Sequence, residues 1–377
     1  MDVMIMMPLS DLFMQKFAIT PGEFSLLLSS YGIAAFFSSL CGVFLLDKFD
    51  RRNSLIFIYS GFVVGTFLCG LAPNYMSLLV IRFITGLFGG IIGALALSIV
   101  SDVFVYKERG QAIGTLMAAF SAAAALGVPA GFYLATEFGW RFPFFIIAGI
   151  GSVILVTVYY KFPNIEINTE DRIEYSPYEL LQRIFGDKNI VRALVLGFVV
   201  VFGHFLIIPF ITPFMTRNVG FELQQVTYIY LVGGVLTVFS APFIGKMADK
   251  YGVIPVFFIL MVLSFIPVVW LTNMGPTAVS SALIVTSLFF VLGSGRMIPP
   301  QSLITSAVGP DLRGSFMSLK SAFQQLSIAG ASAVGGFIVA FDEKDKVVNY
   351  EIVGYLSVGI CILSMVLAPK IKVVKGN

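Results

Sequence analysis

GVFLLDKFDRR, at Gly42–Arg52, decides the reading of this chain, together with its echo GKMADKYG at Gly245–Gly252. Each is a short charged loop between two long apolar runs. Each carries an Asp followed directly by a Lys: Asp47-Lys48 and Asp249-Lys250. The two Asp are 202 residues apart. Arg109-Gly110 and Arg313-Gly314 are 204 apart, and Gly131 and Gly335 keep that same separation. Charged loops that recur at one interval along an apolar chain predict two similar halves.

The composition says what kind of chain this is. Of its 377 residues 58% are hydrophobic and only 12% charged, with a mean hydropathy of +0.93. Soluble domains carry roughly a quarter charged residues. Half that share predicts an integral membrane protein. The net charge of +3 is too small to argue for nucleic acid as a partner. Cys41, Cys69 and Cys361 all fall inside apolar runs and read as packing residues. His204 is the only histidine, which excludes a His/Cys zinc cluster. GxxxxGK[ST] is absent, so no phosphate-cradling loop supplies energy from ATP. No catalytic serine or cysteine arrangement is visible either. The chain is not expected to be an enzyme, and no cofactor or metal is expected.

A spanning helix needs about 20 apolar residues. The expected helices are Met1–Phe13, Pro21–Leu46, Ser54–Leu71, Met76–Val103, Gln111–Thr136 and Pro143–Tyr160. A second set follows at Val191–Met215, Val226–Lys246, Ile254–Leu271, Thr277–Thr305, Ser315–Ala340 and Tyr350–Leu367. Thr20-Pro21-Gly22-Glu23 opens helix 2 as a capping box. Helix 10 is interrupted by Gly293, Gly295 and Pro299-Pro300. Between the sets, Lys161–Asn189 is polar and charged, with a second capping box at Ser176–Glu179. There, Leu180, Leu181, Ile184 and Phe185 share one face of a short helix suited to the membrane surface. The expected domains are residues 1–160, a cytoplasmic linker at 161–190, and residues 191–377. Most Lys and Arg fall on the side of the linker and the basic tail. Only Lys16, Arg141, Arg217, Lys344 and Lys346 are assigned to the opposite loops. The positive-inside rule then puts both termini in the cytoplasm. The first expected helix is short, and the 202-residue offset from Val191 starts it about eleven residues before Met1. Its reading frame is expected to extend upstream.

The two charged loops resemble the G-x-L-a-D-r-x-G-r-r signature of the major facilitator superfamily. The first copy keeps Leu45, Asp47, Lys48, Arg51 and Arg52 but has Val43 and Asp50 where the glycines belong. The second keeps Gly245, Asp249, Lys250 and Gly252 but lacks the terminal arginines. The resemblance covers nearly the whole chain. It implies an all-α membrane protein of the major facilitator fold: two six-helix bundles, twelve transmembrane helices, the first truncated at its N-terminus. Gly127-Val128-Pro129-Ala130-Gly131 looks like the helix 5 signature of the twelve-helix drug and sugar efflux branch, whose members are proton antiporters. A packing kink is the plain alternative, since proline is common in membrane helices.

Several charges lie where a bilayer makes them costly. Asp47 and Arg51 are four apart at a helix end, and Asp102 closes helix 4 on the same side. In the resembled family such a cluster locks the cytoplasmic side in one state and breaks in the other. Asp249, Arg109 and Arg313 belong to the same expected cytoplasmic gate. Ordinary inner-loop charge is the alternative. Arg82 begins RFITGLFGG, similar to the family's R-x-x-x-G-x-g pattern, about seven residues or roughly 10 Å into helix 4. It is assigned to the substrate cavity, against snorkelling to the outer surface. Arg296, beside the breaks of helix 10, is assigned to the same cavity, because broken helices line transport paths. Asp2 is similar to the acidic residue that many family members hold in helix 1. His204 sits 202 residues further on, in the repeat mate of helix 1. Asp2 and His204 are the expected proton-coupling pair, with a core histidine bonded to a carbonyl as the alternative.

These readings converge on a secondary transporter that exports a small-molecule solute through the cytoplasmic membrane by proton antiport and alternating access. Its expected partners are the solute, protons and the lipid bilayer, and it is expected to be a monomer. An uptake symporter of the same fold is the nearest rival. A receptor or scaffold without transport is a third reading, which the insertion cost of the buried charges opposes.

Overall fold

The computed structural model describes residues 2–45, 50–103, 126–163, 177–309 and 312–374. The described residues of the first half form α1 (Asp2–Met6), α2 (Ser10–Phe17), α3 (Pro21–Leu45), α4 (Arg51–Leu71), α5 (Tyr75–Val103), α6 (126–138) and α7 (Phe142–Lys161). α8 (Pro177–Gly186) follows. The second half holds α9 (Lys188–Phe205), α10 (Ile211–Phe214), α11 (Leu223–Tyr251), α12 (Val253–Thr272), α13 (Val279–Gly295), α14 (Ile298–Thr305), α15 (Arg313–Ile338) and α16 (Tyr350–Leu367). A two-stranded antiparallel hairpin, β1 (Ala340–Phe341) and β2 (Val347–Val348), joins α15 to α16.

Among the described residues nine helical segments are long and apolar enough to cross a membrane, with mean hydropathies from 1.6 to 2.6. A helix satisfies its own backbone, which hydrocarbon will not do. Outward surfaces carry Phe57, Phe239 and Phe337, at 70%, 75% and 84% exposure. Side chains of that size would be a liability in water, and they match lipid tails. α15 is not among the nine; it carries Lys320, Gln324 and Gln325.

The packing repeats. α4 packs on α5 and α7, as α12 packs on α13 and α16, and α3 packs on α5 as α11 packs on α13. The largest seam between the first and second set is α3 against α15. Small residues set its closeness. A Cβ on Gly32 would fall 2.7 Å from the Cβ of Ala329, and one on Gly336 would fall 2.0 Å from Ser25 Oγ. Ser29 Oγ donates to Ala329 O across the seam at 2.8 Å. Close backbone approach through small residues is the usual device where lipid leaves no hydrophobic drive between helices.

Sequence expectation and structure differ in places where a proline or glycine decides. Expected helix 1 is two pieces: the Met7–Leu9 turn around Pro8 separates α1 from α2, which runs on to Phe17 and is capped by Ala18 at φ 50°. Expected helix 7 ends as α9 at Phe205. A 3-10 turn at Ile208–Phe210, α10 and a π turn at Met215–Val219 then carry it to Gly220, because Pro209 and Pro213 cannot donate backbone hydrogen bonds. Expected helix 10 divides into α13 and α14 at Arg296 and Met297. Gly245–Tyr251, read as loop, stays helical at the end of α11; only Gly252, at φ 93°, breaks the chain before α12. Expected helix 3 begins at Ser54, but Asp50 Oδ1 accepts from Asn53 N at 2.8 Å as the cap of α4, so the helix starts at Arg51. The Thr20–Glu23 capping box is present, with Glu23 Oε2 accepting from Thr20 N at 2.8 Å. Ser176 lies outside the described residues. In α8 Ile184 is buried while Phe185 is half exposed and meets the ring of Phe323.

Candidate functional site

The first cluster lies where α1 meets α5. Arg82 is fully buried and its Nη1 donates to Asp2 Oδ2 in an ion pair, itself almost fully buried. The guanidinium also lies over the ring of Tyr31, 4.4 Å from its centroid. Arg82 therefore does not snorkel outward. Its Nε and Nη2, and Asp2 Oδ1, have no hydrogen-bond partner among the described residues. Each lone charge at the centre of a spanning helix costs about 2.5–3.5 kcal/mol on insertion scales. Pairing offsets much of that cost.

His204 sits in the last turn of α9. Its ring stacks on Phe289, with centroids 5.5 Å apart, and lies against Gly293, where a Cβ would be 2.9 Å away. No hydrogen bond joins it to Asp2; Asp2 turns to Arg82 instead, and His204 Nδ1 has no hydrogen-bond partner among the described residues. Arg296, also fully buried, donates from Nη1 to Ser264 Oγ at 2.8 Å. Thus Arg82 and Arg296, expected to share one cavity, are held in separate clusters, one on α1 and α3 and the other on α12.

The expected cytoplasmic gate is only partly in view. Asp47 and Arg109 lie outside the described residues, as do the side chains of Asp102 and Arg313. Arg51 is fully buried in the first turn of α4, and Arg52 Nη2 donates to Tyr159 O at 2.6 Å. Asp249 is exposed at the end of α11. Gly127, Pro129 and Gly131 are buried in α6, and Gly131 packs on Ile5 so closely that a Cβ would fall 1.7 Å from Ile5 Cδ1. From the same helix, Phe132 reaches Tyr230 of α11, with ring centroids 5.6 Å apart.

Two features escaped the sequence reading. On the side opposite α8 and the tail, Asp11 of α2 accepts from Arg217 Nε at 2.8 Å and from Thr216 Oγ1 at 3.0 Å. Arg217 also pairs with Asp345 in the hairpin connection and lies 4.0 Å from the centroid of Phe341. Asn218 holds β2 through both its amide atoms, each 2.8 Å from Val347. This latch ties the first set of helices to the second. By sequence Arg217 reads only as a charge of the outer loops. The other feature is Lys320, half-buried within α15, whose Nζ donates to Gln301 Oε1 of α14. A lone Lys inside an apolar run was the available signal.

Paired charges at membrane depth, broken helices beside them and a latch between repeated helix sets define a membrane transport protein. The model of the Major Facilitator Superfamily matches residues 1–194 and residues 193–375, and the chain belongs to that superfamily. It is a multi-pass membrane transporter and not an enzyme. Among relatives, the "Uncharacterized MFS-type transporter YbcL" of Bacillus subtilis is 24% identical, over 86% of this chain and 80% of that protein. A "Probable sugar efflux transporter" of Mannheimia succiniciproducens is 22% identical, over 81% of this chain and 76% of that protein. A solved bacterial homologue of the human lysosomal transporter Spinster, inward-facing and unoccupied, superposes with a TM-score of 0.76 at 13% identity. It covers 100% of this chain and 95% of that one, a likeness of fold.

Proposed function

We infer that the chain is a secondary exporter of a small solute, working as a proton antiporter in the cytoplasmic membrane by alternating access. The buried Asp2–Arg82 pair carries this reading. A carboxylate held at membrane depth by one guanidinium, with Oδ1 unpartnered, is equipped to release its proton on one side and take one up on the other. Arg82 stays paired with it until the solute or a proton displaces the pair. Relatives named for sugar efflux favour export over uptake. Two six-helix bundles, residues 1–160 and 191–377, rock about the central path, joined by the linker at 161–190, with twelve spanning helices and both termini cytoplasmic. The protein works as a monomer. Asp47, Arg51 and Asp102, with Asp249, Arg109 and Arg313, form the cytoplasmic gate, and the Asp11–Arg217 latch closes the opposite side. His204 tunes the coupling from the second half.

The deciding experiment follows protons in proteoliposomes while a panel of candidate solutes is supplied. Solute-driven proton movement outward against solute, lost in Asp2→Asn with solute binding retained, is the expected result. Proton movement in the same direction as solute would mean symport, and wild-type rates in Asp2→Asn would remove Asp2 as the carrier.

A further inference from the structure

The short half-helix α14 is hinged at one end and tied at the other. At the hinge, Pro299 and Pro300 carry no N–H, so the ladder of backbone bonds from α13 is interrupted just after Arg296 and Met297. Residues at such element ends can absorb a change in φ and ψ. At the far end, the last carbonyls of a helix have no partner within it. Here two other parts of the chain supply the donors. Val374 N, in the segment after α16, donates to Ser306 O at 2.8 Å, and Asn189 Nδ2 donates to Ala307 O at 3.1 Å. Asn189 also grips that segment. Its Oδ1 accepts from Lys372 N at 2.7 Å and its Nδ2 donates to Lys372 O at 2.8 Å. Asp187 caps α9 and fixes Asn189 in its first turn, accepting from Asn189 N at 2.7 Å. Ile371 adds a buried side chain, seated with Ile190, Ala307 and Val308. Lys372, Val373 and Val374 are exposed, so the segment is held chiefly by Ile371 and these bonds. Beside α14, a cleft of about 350 Å³ separates Ser302, Leu303 and Ser306 from Val253 and Pro255 at the start of α12, with Val373 on its wall.

We propose that residues 371–374 form a strap over the cytoplasmic end of the second half, with Asn189 as its positioning residue. Engaged, the strap and Asn189 hold the free end of α14. Released, they let α14 turn at Arg296 and Met297 toward the cleft, and that end opens. The proposal rests on the alternating access inferred above and supplies a cytoplasmic switch for it. A segment with few buried contacts opens at low cost, as a gating element must. The strap and the Asp11–Arg217 latch are engaged together in this structure, so releasing the strap opens one side without breaking the other. Alternating access requires that the two sides never open together, so a broken latch favours an engaged strap.

The test reads Ala307, which is 1% exposed, and needs no known substrate. Cys41, Cys69 and Cys361 are replaced by alanine, and Ala307→Cys supplies the single thiol. Everted vesicles are labelled with a membrane-impermeant maleimide. Asn189→Asp keeps the acceptor for Lys372 N and removes both donated bonds. Its negative charge suits the first turn of α9, so the helix itself is not weakened. Val374→Pro removes only the N–H given to Ser306 O. Each should raise the labelling rate several-fold over the parent. Val374→Pro, at an exposed position, keeps the test alive should Asn189→Asp fail to insert. A segment that merely ties down the chain would respond in the same way, so the latch supplies the deciding arm. Asp11→Asn added to either variant should return labelling towards the parent rate. Ala282→Cys, fully buried in α13, is the control and should stay unlabelled throughout. Labelling at the parent rate in both variants, a raised rate that Asp11→Asn leaves untouched, or labelling of Ala282→Cys would each overturn the strap. Failure of the transporter reading shows separately, as absence of any solute-driven proton movement while the labelling changes persist.

Discussion

Arg82 and Arg296 are both fully buried, yet among the described residues only Arg82 has a carboxylate. That difference makes Asp2 the residue on which stability and function meet. Removing one member of a buried pair strands the other charge, at a cost of about 3–5 kcal/mol, whereas removing both can be nearly neutral. Asp2→Asn should therefore lower the unfolding midpoint of the purified protein, and adding Arg82→Gln should recover part of the loss. A double variant as unstable as Asp2→Asn alone would mean that packing, not the pair, holds α1 to α5. His204→Gln is expected to keep the fold and shift the pH dependence of proton movement. The ring is held by stacking on Phe289 and makes no hydrogen bond through Nδ1 among the described residues. An unshifted profile would leave His204 as a packing residue.

Helices in this molecule meet through small residues, and the distances rank how much each position tolerates. At Gly336 a methyl would meet Ser25 Oγ at 2.0 Å and the backbone carbonyl of Pro21 at 3.0 Å. The carbonyl cannot turn away, so α3 and α15 would have to separate. At Gly131 the obstacle is the far end of Ile5, a side chain with freedom to rotate. Overpacking costs about 1–3 kcal/mol. Gly336→Ala is expected near the top of that range and Gly131→Ala near the bottom, read as the difference in thermal unfolding midpoints. The reverse order would show that α1 is more tightly held than the α3–α15 seam. The break of α13 from α14 belongs to this scale too. Gly293 and Gly295 weaken the helix, and Pro299 and Pro300 withhold two donors, so the chain bends at Arg296 and carries its charge inside.

For the whole molecule, the latch on the side opposite α8 is the feature that the proposed alternating access must break. Asp11 and Arg217 are 206 residues apart and nearly buried, with side-chain exposures of 2% and 10%. Nitroxides at the exposed Lys16 and Lys344 would report the separation of the two sets of helices there. Asp11→Asn should lengthen and broaden that distance distribution. Charge reversal in both, Asp11→Arg with Arg217→Asp, should restore part of the short population. A distribution indifferent to Asp11→Asn would show that the close α3–α15 seam holds this side without the latch. At the other end, Asp47→Asn should raise cysteine accessibility from the cytoplasmic side. Unchanged accessibility with normal insertion would remove Asp47 from the gate.

From sequence alone the positions of the apolar spans, the repeat and the class of protein follow. Hydrocarbon demands about 20 apolar residues per helix, and this demand is written locally. The helix bounds at Pro21, Leu71 and Leu367 fall where capping residues, Pro or loss of hydropathy put them. The same local chemistry marked Asp2, Arg82, His204 and Arg296 as exceptional, because each interrupts an apolar run. Their partners were beyond its reach. Asp2 lies 80 residues from Arg82, and Asp11 still further from Arg217. Spanning helices that are apolar all round show no face in their periodicity, so the rotation of each about its axis is undetermined by pattern. Rotation is decided when Gly32 seats on Ala329 and Gly336 on Ser25, and only that tertiary contact tells which charges meet and which, like Arg296, meet no described carboxylate.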